Sequence, residues 1–577
     1  MTISIIRREV REHNLPDHIH PVLARIYAAR NVTTSRELDH GLEHLHSFQS
    51  LMGIDEAVAL LATVLRGEKR ILIVGDFDAD GATSCALAMR ALRLLGATNV
   101  DYLVPNRFEY GYGLTPEIVA VAAERNPDLI ITVDNGISSM EGVKAAKALG
   151  IQVLVTDHHL PGNELPVADA IVNPNQKGDS FPSKNLAGVG VIFYVMLALR
   201  TYLRETGWFK QHGVTEPNLA KLLDLVALGT VADVVPLDFN NRILVAQGVA
   251  RIRKGQCSAG ISALIEVSGR QPQRLVAADL GFALGPRINA AGRLEDMALG
   301  IECLLCDEPG TALRMAQRLD ELNKERREIE GQMREQAMAG LKKMHLDESQ
   351  SELPVGLCLF DEEWHQGVIG ILASRIKDRL HRPVIAFAPA DEETLKGSAR
   401  SVSGLHIRDT LDAVAAHHPD LLSKFGGHAM AAGLQIKRKN LPAFSAAFDE
   451  EVRCHLSADD LRGIIHSDGE LGAEELVLDV ADILRTAGPW GQSFPEPVFD
   501  GVFHVVNRRI VGEKHLKLML KVPNSDHFID AIAFNVSDEH WPPIVDRIRT
   551  AYRLDVNEYQ GKKSAQIIVE HIEPLVG

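Results

Sequence analysis

The chain has 577 residues, of which 46% are hydrophobic, and its 77 Asp and Glu outnumber its 61 Lys and Arg to give a formal net charge of −16. This composition indicates a globular protein of several domains and excludes a disordered or fibrous chain. The negative balance argues against a nucleic-acid-binding protein that relies on bulk positive charge. It is compatible with a local basic groove, or with carboxylates gathered around metal ions.

The sequence contains no apolar run of 18 residues, so no membrane-spanning segment is predicted. Its N-terminal residues lack the apolar core of a secretory signal. Six cysteines are too few for a disulfide framework in a chain of this length. We therefore expect a cytoplasmic protein without a membrane partner.

Residues 1–50 predict short helices, and residues 51–308 predict an α/β domain. In the second segment, short apolar runs that are rich in β-branched residues alternate with helical stretches. Such runs suit strands that are buried on both faces of a parallel sheet, with helices as the crossovers. The candidate strands are 70–75, 100–104, 129–133 and 153–156.

The rest of the chain predicts three further parts. Residues 309–346 predict one polar helix more than about 50 Å long, and a helix of this kind usually links two domains. Residues 353–460 return to α/β alternation and predict a second, smaller α/β domain. Residues 466–577 begin with an acidic stretch and end in five short alternating strands, which is typical of an OB-like barrel. The aromatic residues of this last segment are candidates either for stacking on bases or for filling the core: Phe503, Phe528, Phe534, Tyr552 and Tyr559.

The strongest chemical signal is the segment GDFDADG at 75–81, in which Asp76, Asp78 and Asp80 follow a predicted strand. Three carboxylates this close together repel one another unless a cation is present. Taken alone, the segment is equally compatible with a solvated turn or a calcium-binding loop.

The pattern recurs at three more places, which makes a metal site the stronger interpretation. One predicted strand is followed by Asp134, another by Asp157, His158 and His159, and a helical run ends in Asp233. The carboxyl ends of parallel strands meet at one edge of a sheet, where ligands bind. Carboxylates with one or two imidazoles suit Mn²⁺ or Mg²⁺, and a cluster of this size suits two ions about 3.5–4 Å apart.

Cationic and small polar residues elsewhere are candidate phosphate contacts. Arg107 lies in a loop of glycine and aromatic residues, where its guanidinium could bind a phosphate with two hydrogen bonds. For any single arginine, the alternative is a surface ion pair. The full candidate set is Arg107, Arg287, Asn289, Arg293, Ser398, Arg400, Gly427 and His428.

Many motifs, in order along the chain, resemble those of the DHH phosphoesterase superfamily and, within it, of the RecJ family of exonucleases. The resemblance runs essentially from end to end, and its last three motifs resemble the DHHA1 domain that accompanies DHH in this superfamily. The motifs are GDFDADG (75–81), PNRFEYGYG (105–113), VDNGIS (133–138), TDHH (156–159), NPNQ (173–176), LAGVGV (186–191), LGTVADVVPL (228–237), GPRINAAGR (285–293), WHQGVIGILASR (364–375), GSARS (397–401) and FGGHAMAAGL (425–434).

The resemblance also implies roles for the acidic and imidazole residues. It implies that His159 faces the substrate and that Asp157 orients a ring, so that both belong to the catalytic group. One position departs from the family pattern: Val74 stands where many DHH proteins carry a histidine, and Asp76 is the candidate replacement. The implied metal ligands are Asp78, Asp80, Asp134, His158 and Asp233, with Asp76 beside them.

The implied activity is metal-dependent 5′-to-3′ hydrolysis of single-stranded DNA from an end, in DNA repair and recombination, including mismatch repair. The resemblance also implies a single-strand-binding protein, and a helicase, as partners. We expect a monomer, because two lobes in one chain could form a site without a second subunit. Two alternatives remain at this point. A DHH enzyme for small phosphates typically lacks a C-terminal barrel, so residues 466–577 count against it. An inactive single-strand-binding scaffold would have lost metal ligands, whereas this chain keeps its acids.

Overall fold

The structure is a computed structural model, and its described residues form two compact units. One unit is Arg7–Glu321 with His466–Gly577, and the other is Met1–Ile6 with Leu322–Ile465. Of residues 342–346 and 559, only the backbone conformation is described. The described residues are 3–105, 113–346, 354–422, 424–457, 460–512, 514–534, 536, 545–559 and 561–575.

The chain begins with a strand that the sequence analysis did not predict. Strand β1 (Ile3–Arg7) forms a two-stranded sheet with a late strand, Gly463–Ser467. Helix α1 (Pro21–Ala28) and three short 3₁₀ turns follow, as expected for this segment. Just after α1, the buried Arg30 guanidinium donates to both carboxylate oxygens of Asp468, at 2.7 and 3.0 Å. This ion pair joins the start of the chain to residues that precede the C-terminal barrel.

A parallel sheet forms the centre of the next segment, as predicted, and it contains one strand, Ala170–Val172, beyond the four candidates. The strand order is β3-β2-β4-β5-β6, and each neighbouring pair is parallel. Every residue of β2 and β4 is buried, as expected for a sheet that is covered on both faces. The strands are β2 (Ile71–Gly75), β3 (Val100–Leu103), β4 (Leu129–Val133), β5 (Gln152–Thr156) and β6 (Ala170–Val172).

Helices connect these strands and then form a largely helical region after β6. A π-helix at Leu280–Leu284 leads directly into α12, and Phe282 within it is 80% exposed. The helices are α2 (Ile54–Arg66), α3 (Ala79–Leu94), α4 (Pro116–Ala123), α5 (Met140–Ala148), α6 (Gly188–Glu205), α7 (Trp208–His212), α8 (Leu223–Ala232), α9 (Phe239–Arg253), α10 (Ala259–Val267), α11 (Ala277–Asp279), α12 (Gly285–Leu294) and α13 (Ala298–Leu305).

The predicted long helix is present as α14 (Pro309–Leu346), whose 38 residues correspond to about 57 Å. Its C-terminal part belongs to a unit with a five-stranded sheet in the order β10-β11-β9-β8-β7, in which only β7 and β8 are parallel. The elements are β7 (Leu357–Phe360), α15 (Ile369–Leu380), β8 (Val384–Pro389), β9 (Thr394–Arg400), α16 (Ile407–His417), β10 (Lys424–Gly427), β11 (Ala431–Lys437), α17 (Leu441–His455) and β12 (Gly463–Ser467).

The C-terminal segment forms the closed five-stranded barrel that the sequence predicts. Its order is β13-β14-β15-β17-β16, with β15 and β17 the parallel pair. Phe503 and Tyr552 are buried in the barrel core, whereas Phe528 and Phe534 are about half exposed. The side chain of Tyr559 lies outside the described residues. The elements are α18 (Leu478–Thr486), β13 (Phe499–Val511), β14 (His515–Lys521), β15 (Phe528–Ala533), β16 (Arg547–Tyr559) and β17 (Lys562–Pro574).

Asp500, on the first barrel strand, is 1% exposed and accepts four side-chain hydrogen bonds from three residues, two of them from Arg7. Its carboxylate accepts from Arg7 Nε at 2.8 Å, from Arg549 Nη2 at 3.0 Å and from Ser467 Oγ at 2.6 Å. Burial alone would raise the pKa of Asp500, but the hydrogen bonds from Arg7, Ser467 and Arg549 outweigh it and lower the pKa to about 2.

In the part of the chain that the structure describes, no single helix has the length and apolar character needed to cross a membrane. One pair of helical segments, Leu42–Ser50 and Ile54–Arg66, meets that test only when taken together, and it is bent by 88°.

Candidate metal centre

Three neighbouring strands of the parallel sheet are each followed directly by an acidic residue. β2 is followed by Asp76, β4 by Asp134 and β5 by Asp157. Because β2, β4 and β5 are parallel and adjacent, their carboxyl ends lie at one edge of the sheet. Helix α8 ends there as well and contributes Asp233 as its C-cap residue. The convergence predicted from the sequence is therefore present.

The side chains at this edge form three overlapping groups of possible metal ligands. Within each group, one oxygen or nitrogen atom per residue lies within 4.8 Å of the others. Asp134 and His158 each belong to two groups, so the three groups are parts of one cluster. The groups are Asp76, Asp78 and Asp134; Asp80, His158 and Asp233; and Asp134, His158 and His159.

Two helix N-termini fix Asp78 and Asp80. Asp78 is the N-cap of α3, and its Oδ1 accepts from the amides of Asp80 and Gly81 at 2.9 and 3.0 Å. Asp80 is 1% exposed, and its two oxygens accept from the Gly188 and Val189 amides at 2.6 and 2.9 Å. Those two amides open α6, where the helix dipole favours a negative charge.

A side chain at Gly188 would collide with Asp134, so this position requires glycine. A Cβ atom on Gly188 would lie 2.6 Å from the Asp134 Cβ and 2.7 Å from its Oδ1. Asp134 itself has a positive φ of 61°, a conformation that Asp and Asn adopt more readily than other residues. The backbone therefore places Asp134 in close contact with the start of α6.

His158 lies between two of the acids. Its Nε2 is 3.1 Å from Asp134 Oδ1 and 3.5 Å from Asp233 Oδ2. The backbone that follows β5 is held by two asparagines that the sequence analysis missed as site residues. Asn175 Nδ2 donates to the His158 carbonyl at 2.6 Å, and Asn173 Nδ2 donates to the His159 carbonyl at 2.9 Å. Both lie in the NPNQ motif directly after β6, which was the available signal.

The electrostatics of the cluster match a site for cations. Burial, together with the surrounding carboxylates, raises the pKa values of Asp134 and Asp233 well above the ordinary value. Burial and the Asp78 charge likewise raise the pKa of Asp80, to about 7. Holding these groups as anions is unfavourable without a compensating charge. Carboxylate oxygens with an imidazole are ligands that suit Mn²⁺ and Mg²⁺, so the donor set fits the predicted ions.

Asp157 is bound differently from the other acids. It is 1% exposed, and its Oδ1 lies 2.8 Å from His159 Nδ1 while its Oδ2 accepts from the Ile137 amide at 2.9 Å. Burial would raise the pKa of Asp157, but the hydrogen bond and charge of His159 lower it overall. Burial opposes charge on the His159 ring, yet the contacts with Asp157 raise the pKa of His159. The two residues therefore favour a carboxylate–imidazolium pair.

The candidate phosphate contacts near this centre have varied surroundings. Arg287 is only 8% exposed: its Nη2 lies 2.7 Å from Asp320 Oδ1, and its Nη1 donates to the Ala283 carbonyl at 2.6 Å. A phosphate contact would require Arg287 to share its guanidinium with Asp320. Asn289 Oδ1 accepts from the Ala79 amide at 2.8 Å, and Arg293 is half-buried on α12. Arg107 lies outside the described residues.

The remaining candidates lie together in the other unit. Ser398 and Arg400 share one face of β9, and Arg400 Nη1 donates to Ser398 Oγ at 3.1 Å. Strand β11 pairs alongside them, with Ala431 opposite Arg400. Gly427 has a φ of +146°, and a Cβ there would lie 2.4 Å from the Ala431 carbonyl oxygen. The exposed His428 follows it, with its amide bonded to that same carbonyl at 2.8 Å.

Comparison with known families agrees with this architecture. Residues 70–230 match the N-terminal domain of the DHH family, residues 353–453 match the DHHA1 domain, and residues 467–571 match the RecJ OB domain. The fold and the acidic centre together define a DHH-family protein with a DHHA1 domain and a C-terminal OB barrel.

Full-length relatives make the assignment more specific. The chain is 56% identical over 571 residues to the single-stranded-DNA-specific exonuclease RecJ of Salmonella typhimurium, with 99% of each chain covered. It is also similar to the crystal structure of RecJ from Thermus thermophilus in complex with Mn²⁺, with a TM-score of 0.79 and 29% identity over 99% of this chain and 80% of that one. The Mg²⁺ complex of the same protein gives a TM-score of 0.74 at 27% identity, over 99% of this chain and 79% of that one. The chain belongs to the RecJ family.

Proposed function

We propose that this protein is a metal-dependent exonuclease that hydrolyses single-stranded DNA in the 5′-to-3′ direction. The cluster of acidic and imidazole ligands at the end of the parallel sheet carries the proposal. Two observations support single-stranded DNA as the substrate. One is the relative that matches over the full chain and is named a single-stranded-DNA-specific exonuclease, and the other is the C-terminal barrel. The barrel also argues against an enzyme for small phosphates.

The proposed ligands of two Mn²⁺ or Mg²⁺ ions are the residues predicted from the sequence. Such ions lower the pKa of a bound water and neutralise charge on the phosphate. Val74 is fully buried in the core of β2, so it takes no part, and Asp76 replaces the histidine of other DHH proteins. The proposed set is Asp76, Asp78, Asp80, Asp134, His158 and Asp233.

His159 and Asp157 are the proposed catalytic pair. Asp157 accepts a hydrogen bond from the Nδ1–H of His159 and fixes the ring, so that Nε2 is the atom that faces the substrate. A protonated ring would donate a charge-assisted hydrogen bond to a phosphate oxygen, which stabilises the negative charge that develops during cleavage. Asn173 holds the backbone carbonyl of His159 and so helps to set the ring's position.

DNA contacts are proposed in both units. The phosphate contacts of the sequence analysis remain proposals. At Arg287, a phosphate would compete with Asp320 for the guanidinium. On the barrel, the exposed Phe528 is the stronger base-stacking candidate, since Lys521 Nζ lies 5.5 Å from its ring centre and adds a cation beside it. The proposed phosphate contacts are Arg107, Arg287, Asn289, Arg293, Ser398, Arg400, Gly427 and His428.

The remaining proposals concern organisation and context. We propose that residues 1–50 are an N-terminal segment, 51–308 the catalytic domain, 309–346 the linking helix, 353–460 the DHHA1 domain and 466–577 the nucleic-acid-binding domain. We also propose a cytoplasmic monomer that acts in DNA repair and recombination, including mismatch repair, with a single-strand-binding protein and a helicase as partners.

A nuclease assay with end-labelled DNA tests the proposal. Single strands labelled at the 5′ or the 3′ end, and a duplex, are incubated with the full chain and Mn²⁺, Mg²⁺ or EDTA. We expect mononucleotides to be released from the 5′ end of single strands with either metal, and no release in EDTA. Absence of single-strand cleavage with both metals, or equal cleavage of the duplex, would refute the proposal.

A matched pair of variants on one strand links the activity to the cluster. Asp134 follows the carboxyl end of β4, whereas Asp128 precedes its first residue at the opposite edge and accepts from the Arg70 amide. We expect Asp134→Asn to abolish cleavage and Asp128→Asn to retain it.

A further inference from the structure

A largely apolar cavity of about 610 Å³ lies between the helical region after the parallel sheet and the segment that precedes the barrel. Its volume falls within the range of small-molecule sites, roughly 300–1,000 Å³. Val231, Val249 and Val276 line one side, and Trp490 comes from the segment before the barrel. The main-chain bond from the Leu237 amide to the Gln492 carbonyl, at 2.8 Å, joins the two sides.

Two apolar side chains at this cavity are exposed. Phe282, in the π-helix, is 80% exposed, and Val234 is 63% exposed with a φ of +63°. A positive φ is unfavourable for a β-branched residue, and π-helical turns are rare and frequently occur at functional sites. The positive φ of Val234 and the π-helical turn at Phe282 are both unfavourable local conformations, and both place an apolar side chain at the cavity.

The charged residues of the cavity are mainly cationic. Arg253 donates to the Leu275 carbonyl at 2.7 Å, and its pKa is lowered by burial and by the neighbouring Arg485. Among the described residues, neither arginine lies within ion-pair distance of a carboxylate. Glu496 also lines the cavity, but its carboxylate is paired with Arg553 at 2.7 Å. The cavity therefore offers two cations to an anionic ligand.

The cavity and the metal centre share the end of α8. Val231 lines the cavity and lies two residues before Asp233, and Val234 follows Asp233 directly. Both sites therefore take residues from the same helix end, within four consecutive positions of the chain.

We propose that the cavity receives one nucleotide of the DNA strand, with its base stacked on Phe282 and its phosphate beside Arg253 and Arg485. Trp490, whose ring already stacks on Phe494 at a centroid distance of 5.2 Å, borders the base rather than stacking on it. The inference rests on the proposed function, since it concerns the same substrate. A flat apolar body with an attached anion is the chemistry that these four side chains match. An acidic peptide with an aromatic residue has similar chemistry, but the shared end of α8 favours a strand that is already bound at the metal centre.

Abasic DNA provides the test. A set of single strands, each with one abasic site at a successive position from the 5′ end, is cleaved by the full chain with Mn²⁺ under single-turnover conditions. For the wild type, we expect cleavage to slow about tenfold when the abasic site is at one or two adjacent positions, since this is the lower part of the range for loss of one stacked base. In Phe282→Ala, we expect this positional difference to disappear. Leu149→Ala removes an exposed side chain elsewhere and should keep the wild-type profile.

Photo-crosslinking gives an independent readout. A strand with 5-iodouracil at the sensitive position should form an adduct with Phe282 or Trp490, identified by mass spectrometry. The inference is overturned if Phe282→Ala keeps the wild-type abasic profile, or if the adducts form only elsewhere. It is also overturned if the variant changes only the binding of an acidic aromatic peptide. Each of these results would leave single-strand cleavage intact, whereas failure of the proposed function would remove cleavage from the wild type.

Discussion

The Nδ1 atom of His159 lies 2.8 Å from Oδ1 of Asp157, and the same oxygen accepts from the amides of His158 and His159 at 2.7 and 3.1 Å. One buried carboxylate thus orients both histidines. In Asp157→Asn, the negative charge is lost and an amide group faces some of these donors. Because changes in groups that orient ligands typically cost 10–100-fold in activity or metal affinity, we expect kcat to fall about 10–100-fold. Steady-state kinetics, with circular dichroism as the folding control, would measure this, and a wild-type kcat would contradict the assigned role.

A second prediction separates stability from activity at Asp134. Its pKa is raised by burial and by the neighbouring carboxylates, so its ionised form destabilises the metal-free fold at neutral pH. Asn fits the positive φ of this position and carries no charge. We expect Asp134→Asn to raise the Tm of the metal-free protein by about 1 °C, which corresponds to about 1 kcal/mol for a unit of this size.

The same variant should lose the rise in Tm that Mn²⁺ gives the wild type, because stabilisation by a ligand requires binding to the native state. Asp128→Asn serves as the control and should keep the Mn²⁺ effect. Thermal scans in EDTA and in Mn²⁺ measure both effects. A lower metal-free Tm in Asp134→Asn would show that the hydrogen bonds and packing of this carboxylate outweigh its repulsion by the neighbouring acids.

A third prediction concerns Arg400 as a phosphate contact. Arg400→Ala should weaken binding of a single strand and reduce the slope of log affinity against log salt concentration by about 1. Arg408, exposed on α16, provides the control, since Arg408→Ala removes an equal charge from the same unit. Fluorescence anisotropy at several salt concentrations gives both slopes. Equal slopes for the wild type and Arg400→Ala would argue against the contact.

A fourth prediction follows from Asp500. Because its folded-state pKa lies at about 2, below the ordinary value, its stabilisation is present above about pH 4 and is lost as the pH falls towards 2. We expect Asp500→Asn to lower the free energy of unfolding by about 2 kcal/mol at pH 7. The difference from the wild type should shrink between pH 4 and pH 2.

Urea titrations across this pH range measure the effect. Asp526→Asn is the matched control, because the Asp526 side chain is fully exposed beside Lys521 and its removal should leave the urea midpoint unchanged. A difference between Asp500→Asn and the wild type that stays constant down to pH 2 would exclude the Arg7 and Arg549 contacts as its cause.

The elements around the metal centre were predictable because local sequence determines them. The run predicted as a strand at 70–75 is Ile71–Gly75, and the run at 153–156 is Gln152–Thr156. Each is a continuous apolar run that ends at an acid, so the sequence carries both the strand and the placement of its last residue. The helix predicted at 309–346 is Pro309–Leu346, since no proline or glycine cluster interrupts it.

Features that depend on distant partners could not be predicted in the same way. Strand β1 is short, and its partner β12 lies near the other end of the chain. Arg287 is an ordinary surface-type residue in the sequence, and only the fold places Asp320 beside it. Likewise, the alternation of the barrel strands does not show which face points into the core. From the sequence, Phe503 and Phe528 were therefore equally good candidates for base stacking, and the structure shows Phe503 buried and Phe528 about half exposed.

The pair between Arg30 and Asp468 spans 438 residues of the chain. At a synthesis rate of about 5–20 residues per second, the ribosome delivers Asp468 on the order of 20–90 s after Arg30. The last strand of the parallel sheet ends at Val172, so this sheet can form long before Asp468 is synthesised. Strand β1 and helix α1 are therefore made first and reach their final position last, whereas His40 and His46 already have partners on α9. A nascent chain halted before residue 468 should expose β1 and α1 to proteases while its parallel sheet resists them.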